Sequence, residues 1–522
     1  MLLVARHRCS DCGTSSRLMV NQEWNLLDDL FRRSLVAAFK AWLWLCRRFL
    51  RLIFPSAGFW AKRPRVLCPG DGPPEGQLPG DYYDYRGIAL PRELHPLTHA
   101  AVGVSLGRYL WPDGKQGPRL SLPVGMLHRN CAVVGPPGSG KTEGIIIPWI
   151  VDLLRSGGSV VTVDVKGDLV DRVSRQASKA PTRVWYWNSA DPSRSMSWNW
   201  LATIQDHRDV EGAVQSILGR PRPNDPQPFF FERDSRWLRT LITITRMVHG
   251  HRARPKDLYR LLADQDLLRQ QFRQHPSLHH YATEVADLLQ FPLHEHSRAV
   301  SGLLNALHLF NTPNVAAVTE RSDFTLADLV RQPTLLVVGA SLADGRAAEI
   351  LSSILLNQLV AWIYRRFAPG AASSSHPLYL VIDEAPRLRT RINLEELLSV
   401  GRAAAVGVCL AAQDVAQFGD ERETGALFSN CLTFIALRGC SAATARYLES
   451  RLGQRIDRLV TKTRYRGLFD LFPNQIAEVV HTQPAPVLRA REIMYAPVNT
   501  FCGVVHAAEV SSKPFLADLT RA

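Results

Sequence analysis

The sequence lacks two features of secreted proteins. Its first thirty residues hold no apolar run of the length that a signal peptide needs. Its nine cysteines are odd in number and scattered over 522 residues, which favours a reducing compartment over a disulfide framework. Cys9 and Cys12 form a single CxxC with His7 nearby, but no second ligand pair has the spacing of a zinc site. A metal or redox role for this pair is therefore the less favoured interpretation.

An uninterrupted membrane span is also missing, because a spanning helix needs about 20 mostly apolar residues. Residues 32–54 approach that pattern, but basic residues interrupt the run: Lys40, Arg47, Arg48 and Arg51. Each cation near mid-bilayer costs about 2.5–3.5 kcal/mol on insertion scales. Four basic residues recur at helical spacing on one face, namely Arg33, Lys40, Arg47 and Arg51. This pattern favours a basic amphipathic helix lying on the membrane. A helix docked on the protein's own core and a true span remain alternatives.

The bulk composition indicates a soluble globular protein with a basic surface. The hydrophobic residues make up 46% and the charged residues 21% of the chain, so its length suits roughly two or three domains with real cores. The formal net charge is +14 and the isoelectric point is near 9.6. This balance favours a polyanionic partner, either nucleic acid or an anionic membrane face. A merely solvated basic surface is the alternative.

A phosphate-binding loop follows a predicted strand at Cys131–Val134. The segment GPPGSGKT matches G-x-x-x-x-G-K-[ST] between a strand and a helix. Its glycines let backbone N–H groups surround phosphate oxygens at a helix N-terminus. Lys141 is expected to reach the β- and γ-phosphates and Thr142 to ligate Mg²⁺. The predicted nucleotide-binding residues are Gly135, Pro136, Pro137, Gly138, Ser139, Gly140, Lys141, Thr142 and Glu143.

Two adjacent acids follow a second apolar run, residues 378–382. That run has the length and the β-branched content of a buried parallel strand. Ligands bind at the carboxyl ends of such strands. Asp383 is therefore the second predicted Mg²⁺ ligand. Glu384 is expected to orient or deprotonate the attacking water. The alternative is a pair of solvated loop acids.

Further predicted strands supply other candidates for the site. Residues 159–165 carry Asp164 at their penultimate position, and residues 405–411 lead to Gln413. Gln413 is predicted to be catalytic as a γ-phosphate sensor, although it could instead cap a helix. Arg402 and Arg438 are candidates for an arginine finger acting on a neighbouring subunit.

The order of these motifs resembles that of the type IV secretion coupling proteins of conjugative DNA transfer, the TraG/TraD-like P-loop ATPases. The resemblance covers roughly residues 105–500. Its motifs are GPPGSGKT, VTVDVKGDL, WYWN (185–188), SMSWNWL (195–201), SDFTLADL (322–329), LVIDEAPRL and GRAAAVGVCLAAQDVAQF (401–418). Of these, DVKGDL and the strand before Gln413 are the more specific.

The resemblance implies an α/β fold, a RecA-like motor domain carrying an inserted all-α domain. The residues independently suggest the insertion, because 204–330 lack a convincing strand and show helical patterns such as Trp237-Leu238-x-x-Leu241-Ile242. The expected domains are 1–62, a basic juxtamembrane segment; 63–100, a Pro/Gly-rich linker; 101–203 and 331–522, the motor; and 204–330, the insertion. Family members usually carry N-terminal membrane spans, so the interrupted segment here puts integral anchoring in doubt.

The expected function is an ATPase that uses ATP and Mg²⁺ to move DNA, presented as relaxase nucleoprotein, to secretion-channel proteins. The resemblance implies a homo-hexamer at the cytoplasmic face of the bacterial inner membrane. One alternative is a receptor that recruits protein substrates, with nucleotide as an assembly switch. Another is a soluble, cytoplasmic plasmid-maintenance or defence motor.

The DNA contacts are less well defined by the sequence. A motor that tracks any sequence should grip phosphates with Lys and Arg. Lys166, just past a predicted strand, is one candidate. Arg233, Arg236 and Arg239 share a helix face, which is more often solvated than DNA-binding. Residues 229–231, three phenylalanines, are expected to be core of the inserted domain rather than a base-stacking platform.

Overall fold

The computed structural model describes residues 87–177, 182–221, 228–340, 345–365, 376–404, 406–465, 475–496 and 502–519. The chain divides into two compact units, 1–67 and 68–522, and every described residue belongs to the second. The predictions for His7, Cys9 and Cys12 and for the basic segment 32–54 lie outside the described residues.

Eleven strands form one mixed sheet with the order β2-β1-β13-β12-β9-β3-β8-β7-β4-β6-β5, and β10 and β11 form a separate hairpin. The seven strands from β9 to β5 are parallel, and the four at the other edge are antiparallel. The strands are β1 Gly103–Leu110, β2 Gln116–Pro123, β3 Cys131–Val134, β4 Ser159–Asp164, β5 Arg183–Trp187, β6 Thr334–Gly339, β7 Leu378–Ile382, β8 Val406–Ala412, β9 Thr433–Leu437, β10 Gln454–Tyr465, β11 Gln475–Pro486, β12 Cys502–Ala507 and β13 Phe515–Asp518.

Sixteen α-helices are described, together with a π-helical turn, Lys141–Ile146, that runs into α3. They are α1 His95–Thr98, α2 Val124–Leu127, α3 Ile147–Arg155, α4 Leu169–Ala177, α5 His207–Leu218, α6 Pro228–His249, α7 Pro255–Ala263, α8 Gln265–Gln274, α9 Ala286–Gln290, α10 Leu293–Leu307, α11 Pro313–Thr319, α12 Gly345–Arg365, α13 Leu394–Ala403, α14 Glu421–Ser429, α15 Ala442–Leu452 and α16 Ala490–Met494. Short 3₁₀ turns are Pro91–Leu94, Gly250–Arg252, Pro276–Tyr281, His308–Asn311, Leu326–Val330, Ala385–Leu388 and Val415–Phe418.

The central parallel strands are buried on both faces, as their apolar sequences require. Along β3, Ala132 and Val134 belong to one hydrophobic core, while Cys131 and Val133 belong to the other. The second core includes Trp149 of α3, and the first includes residues of α12 and α13. Helices therefore cover both faces of the sheet and leave the carboxyl ends of the parallel strands uncovered. These strand ends are called the accessible edge below.

The described residues from 204 to 330 form α-helices and 3₁₀ turns joined by short loops and contain no strand, as the helical patterns predict. Trp237, Leu238, Leu241 and Ile242 are all fully buried, because i, i+1, i+4 and i+5 lie on one face of α6. The buried side chains of the insertion are continuous with the hydrophobic core that includes Ala132 and Val134 of β3.

One described helix, α12, is long and apolar enough to match a membrane span by length and composition. Within its most apolar window, 72% of the residues are buried inside the protein. It packs along α5 and carries core residues such as Ile354 and Leu355. Its apolar character is therefore accounted for by the core.

The C-terminal part of the predicted linker 63–100 differs from the expectation. Residues 87–98 pack on the motor domain, with Ile88, Ala89, Leu94 and Leu97 buried. The proline signal has a local explanation: Pro91 starts a 3₁₀ turn, where its missing N–H costs nothing. Proline here begins an ordered element within the predicted linker.

Candidate nucleotide-binding site

The glycine-rich loop leaves β3 at the accessible edge of the sheet. The Gly135 N–H donates to the Ala412 carbonyl of β8 at 3.2 Å, so the loop starts pinned to the neighbouring strand. Gly138 and Gly140 have φ of 75° and 83°, a left-handed backbone that favours glycine. The loop then enters the helix at Lys141, whose N-terminal end suits an anion.

Lys141 lies inside this loop. Its Nζ donates to the Gly135 carbonyl at 2.6 Å and to the Pro136 carbonyl at 3.3 Å. Lys141 as a whole is only 7% exposed to solvent. Burial lowers the pKa of Lys141, while the nearby carboxylates of Glu384 and Asp383 act in the opposite direction. The ammonium group is thus held where the loop would enclose an anion.

The phosphate loop and the acidic strand end meet at one contact. The Thr142 hydroxyl donates to Asp383 Oδ2 at 2.9 Å, although 241 positions separate them in the chain. The other carboxylate oxygen of Asp383 accepts the Glu384 N–H at 3.0 Å. A hydroxyl beside a carboxylate is a hard oxygen set of the kind that Mg²⁺ prefers. These two predicted metal ligands therefore lie together.

Glu384 and Gln413 form a second contact across neighbouring strand ends. Gln413 Nε2 lies 3.1 and 3.3 Å from the two carboxylate oxygens of Glu384. The Gln413 N–H donates to Gln417 Oε1 at 3.1 Å, which ties it to the next turn. Glu384 itself has φ 51° and ψ 42°, a left-handed conformation that is costly for a residue with a side chain. Strain of this kind is concentrated at functional sites.

The loop has the features of a phosphate cradle. Ser139 Oγ is buried and has no hydrogen-bond partner among the described residues. A Cβ built on Gly135 would lie 2.6 Å from Leu437 Cβ and 2.9 Å from Ser139 Oγ, so this position has room for glycine only. No cluster of three or more His, Cys, Asp or Glu side chains able to hold a metal occurs in the described part of the chain. A Mg²⁺ ion here would rely on Thr142, Asp383, phosphate oxygens and water.

The sequence and fold match known proteins. Residues 93–469 match the family described as "Type IV secretory system Conjugative DNA transfer". The chain belongs to this family. The family predicted from the motifs is thereby confirmed.

The chain is also similar to individual proteins of conjugative transfer. Over 406 residues the chain is 26% identical to the conjugal transfer protein TraG of Escherichia coli, covering 70% of this chain and 62% of TraG. It is also 26% identical to VirD4 of Rhizobium radiobacter over 272 residues, 49% of this chain and 38% of VirD4. The chain thus spans less than two thirds of these relatives' length.

Solved structures of coupling proteins share the fold. The unbound TrwBdeltaN70 structure has a TM-score of 0.61 at 17% identity, covering 86% of this chain and 97% of that one. TrwB bound to the non-hydrolysable ATP analogue ADPNP has a TM-score of 0.60 at 18% identity, covering 86% and 96%. These likenesses confirm the predicted RecA-like fold with an all-α domain.

Asp164 has a role in this coupling-family chain that its motif did not reveal. Its buried carboxylate accepts N–H groups from Lys166 (3.0 Å), Gly167 (2.8 Å) and Leu169 (2.9 Å). Burial raises the pKa of Asp164, and these three N–H donors oppose that rise. The DVKGDL segment is therefore a turn built around Asp164 that starts α4. It leaves Lys166 exposed at the accessible edge.

Glu143 takes part in an ion pair that the sequence patterns did not predict. Arg172 of α4 pairs with Glu143 of the phosphate-loop helix and also with Asp168, 3.3 Å away. The i, i+4 spacing of Asp168 and Arg172 was the available signal. Arg172 thus ties the phosphate-loop helix to α4.

The two finger candidates lie at opposite ends of the parallel strands. Arg438 directly follows β9, and the neighbouring Gly439 is in contact range of Pro136 in the phosphate loop. Arg402 lies in the last turn of α13, just before the amino end of β8. Both are exposed. The action of either arginine on the nucleotide site of a neighbouring subunit stays a prediction.

The arginines on α6 are engaged within the insertion. Arg233 pairs with Asp234 at 2.8 Å, Arg236 with Asp287 at 3.1 Å, and Arg239 with Glu211. These pairs favour a structural role over a DNA grip.

The phenylalanines in the first turn of α6 were expected to be core, and for two of them this is wrong. Phe229 is 67% exposed and Phe230 is 46% exposed. Their rings pack on each other, with centroids 5.8 Å apart, and Phe230 lies beneath the Arg233 guanidinium. The physical reason is their position at the helix start, where Phe229 packs on Phe230 and Phe230 packs on Arg233.

Replacing Gly135 with alanine tests the steric demand of the loop. The new methyl group would overlap Leu437, so we expect the free energy of unfolding to fall by about 1–3 kcal/mol. Denaturant unfolding of the full chain measures this change. Gly425→Ala is the matched control, because nothing lies within 4 Å of its Cβ position in α14. A Gly135→Ala variant as stable as the control would contradict the packed-loop geometry.

Proposed function

We propose that this member of the coupling-protein family is an ATP-driven motor that moves DNA or nucleoprotein toward a type IV secretion channel. The observation that carries the proposal is the 2.9 Å bond between Thr142 and Asp383, beside the Glu384–Gln413 pair. The contact between the glycine-rich loop and the acidic end of β7 supports a joint role of the two segments in ATP hydrolysis. TraG is named a conjugal transfer protein, and TrwB structures contain ADP with Mg²⁺ or an ATP analogue.

ATP would be held by the loop and by the helix that follows it. The backbone from Gly135 to Thr142 would surround the phosphates, and the Lys141 ammonium would exchange its carbonyl partners for phosphate oxygens. Thr142 and Asp383 would hold Mg²⁺, Asp383 through water. The ion would neutralise the charge that develops on the phosphates.

Glu384 would orient or deprotonate the attacking water. Gln413 holds both carboxylate oxygens of Glu384 and stands at the end of β8, which pairs with β3 on one side and β7 on the other. Gln413 would therefore link the state of the phosphate site to the base. Because Arg438 lies at the same edge, it would be placed to act across a subunit boundary in a homo-hexamer.

The partners follow from charge and family. A net charge of +14 suits DNA, delivered as relaxase nucleoprotein, and suits an anionic membrane surface. The basic segment 32–54 would hold the motor at the cytoplasmic face of the inner membrane, near the channel proteins. That part of the proposal rests on the sequence alone.

Steady-state ATP hydrolysis tests the motor proposal. We expect single- or double-stranded DNA to raise the rate, and the rate per chain to rise with protein concentration as subunits assemble. Hydrolysis that ignores both DNA forms at every concentration would contradict the motor. It would favour a nucleotide-switched receptor for protein substrates.

DNA binding is expected to weaken steeply with salt, because contacts to phosphates release counterions. For a motor making about six phosphate contacts, affinity should fall at least about 1,000-fold between 50 and 200 mM salt. Fluorescence anisotropy with two unrelated sequences of equal length measures the slope, and both should give the same one. A flat profile would argue against phosphate-tracking DNA contacts.

A further inference from the structure

The turn that follows Glu384 is fastened to other elements of the motor domain. Glu384, with its left-handed backbone, directly precedes the 3₁₀ turn Ala385–Leu388, and its carbonyl accepts the Arg387 N–H at 3.1 Å. The Arg387 side chain pairs with Glu349 of α12 at 3.2 Å. A strained backbone of this kind persists only where the surrounding structure holds it in place. The contacts of this turn therefore decide whether Glu384 keeps its position.

Arg391 joins the same segment to α5, the first helix of the insertion. Its N–H donates to the Leu388 carbonyl at 2.9 Å, and its guanidinium is buried, with the residue 9% exposed. Arg391 Nη1 donates to the Ser216 and Ile217 carbonyls, the second at 3.1 Å. Both carbonyls lie in the last turn of α5, where helix carbonyls lack intrahelical donors and carry partial negative charge. The end of α5 is therefore suited to hold the Arg391 cation.

Further hydrogen bonds strengthen this joint. The Arg220 N–H, just beyond α5, donates to the Thr390 carbonyl at 2.7 Å. Asn357 of α12 bridges the two sides, because its Nδ2 donates to the Arg391 carbonyl at 2.9 Å and to Ser216 Oγ at 2.8 Å. The segment after Glu384, the end of α5 and α12 are thus connected through hydrogen bonds.

Stability alone does not account for Arg391. Both acceptors of its guanidinium in the described part of the chain are main-chain carbonyls, and its buried Nε has no hydrogen-bond partner there. Removing a cation from water is costly unless the cation is paired with an acid, so a group of this kind is weak evidence for a stabilising role. What the guanidinium supplies is a fixed distance and direction between α5 and residues 388–391. The strained Glu384 begins this segment, so the same geometry reaches the base.

We propose that Arg391 is a positioning residue for Glu384, through which the helical insertion sets the rate of the nucleotide site. Arg391 acts on hydrolysis by fixing the turn that carries the base. The inference rests on the proposed ATP hydrolysis and extends it, because turnover then depends on the position of α5. A movement of the insertion that shifts α5 would change the rate.

Arg391→Met tests the proposal, since methionine fills much of the same space and removes the charge and the donors. We expect turnover at saturating ATP and Mg²⁺ to fall at least about tenfold, because a small misplacement of a catalytic group is costly. The Kd for ADPNP with Mg²⁺ should stay within about twofold, since the glycine-rich loop is left intact. Arg391→Lys, which keeps the charge and the donors, should recover most of the turnover. Arg389→Met, at an exposed position of the same segment, is the matched control and should be unaffected.

The outcomes separate this inference from the proposed function. Arg391→Met turnover equal to that of Arg389→Met would overturn the inference and leave the motor proposal standing, whereas an unaltered protein that does not hydrolyse ATP would refute the motor proposal. Joint loss of turnover and ADPNP binding would show a purely structural role and overturn the inference. In single-turnover assays on Glu384→Gln, adding Arg391→Met should slow the reaction less than about twofold, because it acts through the base. An additive loss would contradict that route.

Amide hydrogen exchange in the unaltered protein gives a test that depends on no variant. The Arg220 N–H spans the joint, so binding of ADPNP and Mg²⁺ should slow its exchange at least about threefold as the segment after Glu384 tightens. Peptides from α8, elsewhere in the insertion, should exchange at an unchanged rate. Exchange at Arg220 that is insensitive to the nucleotide would overturn the coupling between the base and α5.

Discussion

Lys141→Ala is expected to lower ATP turnover by at least about 100-fold, the typical cost of removing one preorganised donor from a transition state. The Lys141 ammonium is buried in the loop, held by two carbonyls and flanked by the acids of β7. Alanine removes the one cation that the loop itself supplies to the phosphates. The measurement is phosphate release at saturating ATP and Mg²⁺, together with nucleotide binding.

Lys115→Ala is the control for Lys141, because the Lys115 side chain is 81% exposed. It should hydrolyse ATP like the unaltered protein. Undiminished turnover in Lys141→Ala would contradict the assignment of the phosphate loop.

Glu384→Gln is expected to reduce turnover by about 100- to 10,000-fold, the range for a lost general base. The change removes the charge and keeps the shape, so ATP binding should persist. Single-turnover phosphate release separates the two steps. Glu395→Gln, an exposed acid in the first turn of α13, is the matched control and should be unaffected.

A double-mutant cycle with Gln413→Ala extends this test. If Gln413 acts through Glu384, then Gln413→Ala should slow turnover in the native background and add little to Glu384→Gln. Independent, additive effects would mean that Gln413 works apart from the base, and full activity in Glu384→Gln would remove Glu384 from the mechanism.

The phosphate loop and the acidic strand end were predictable because each is a local pattern. A strand, a glycine loop and a helix follow one another within 131–155, and LVIDE joins a buried strand to its polar tip. Parallel strands place their carboxyl ends at one edge, so proximity of Thr142 to Asp383 followed from the fold class. The insertion was predictable because helical periodicity persists over α6 and α10.

The features of the site that the sequence could not predict depend on long-range strand pairing and on backbone conformation. No local signal places β8 between β3 and β7, yet this order brings Gln413 to Glu384. The left-handed backbone of Glu384 is imposed by its surroundings, since sequence propensity opposes it.

Binding of Mg²⁺–ATP to Glu384→Gln, compared with Lys141→Ala/Glu384→Gln, is the most direct test of the central claim, since neither variant consumes the ligand appreciably. Calorimetric titration should show saturable, Mg²⁺-dependent binding by the single variant and at least about tenfold weaker binding by the double variant, a loss of about 1.4 kcal/mol. Equal affinities, or no binding by either, would contradict a nucleotide held between the glycine loop and the end of β7.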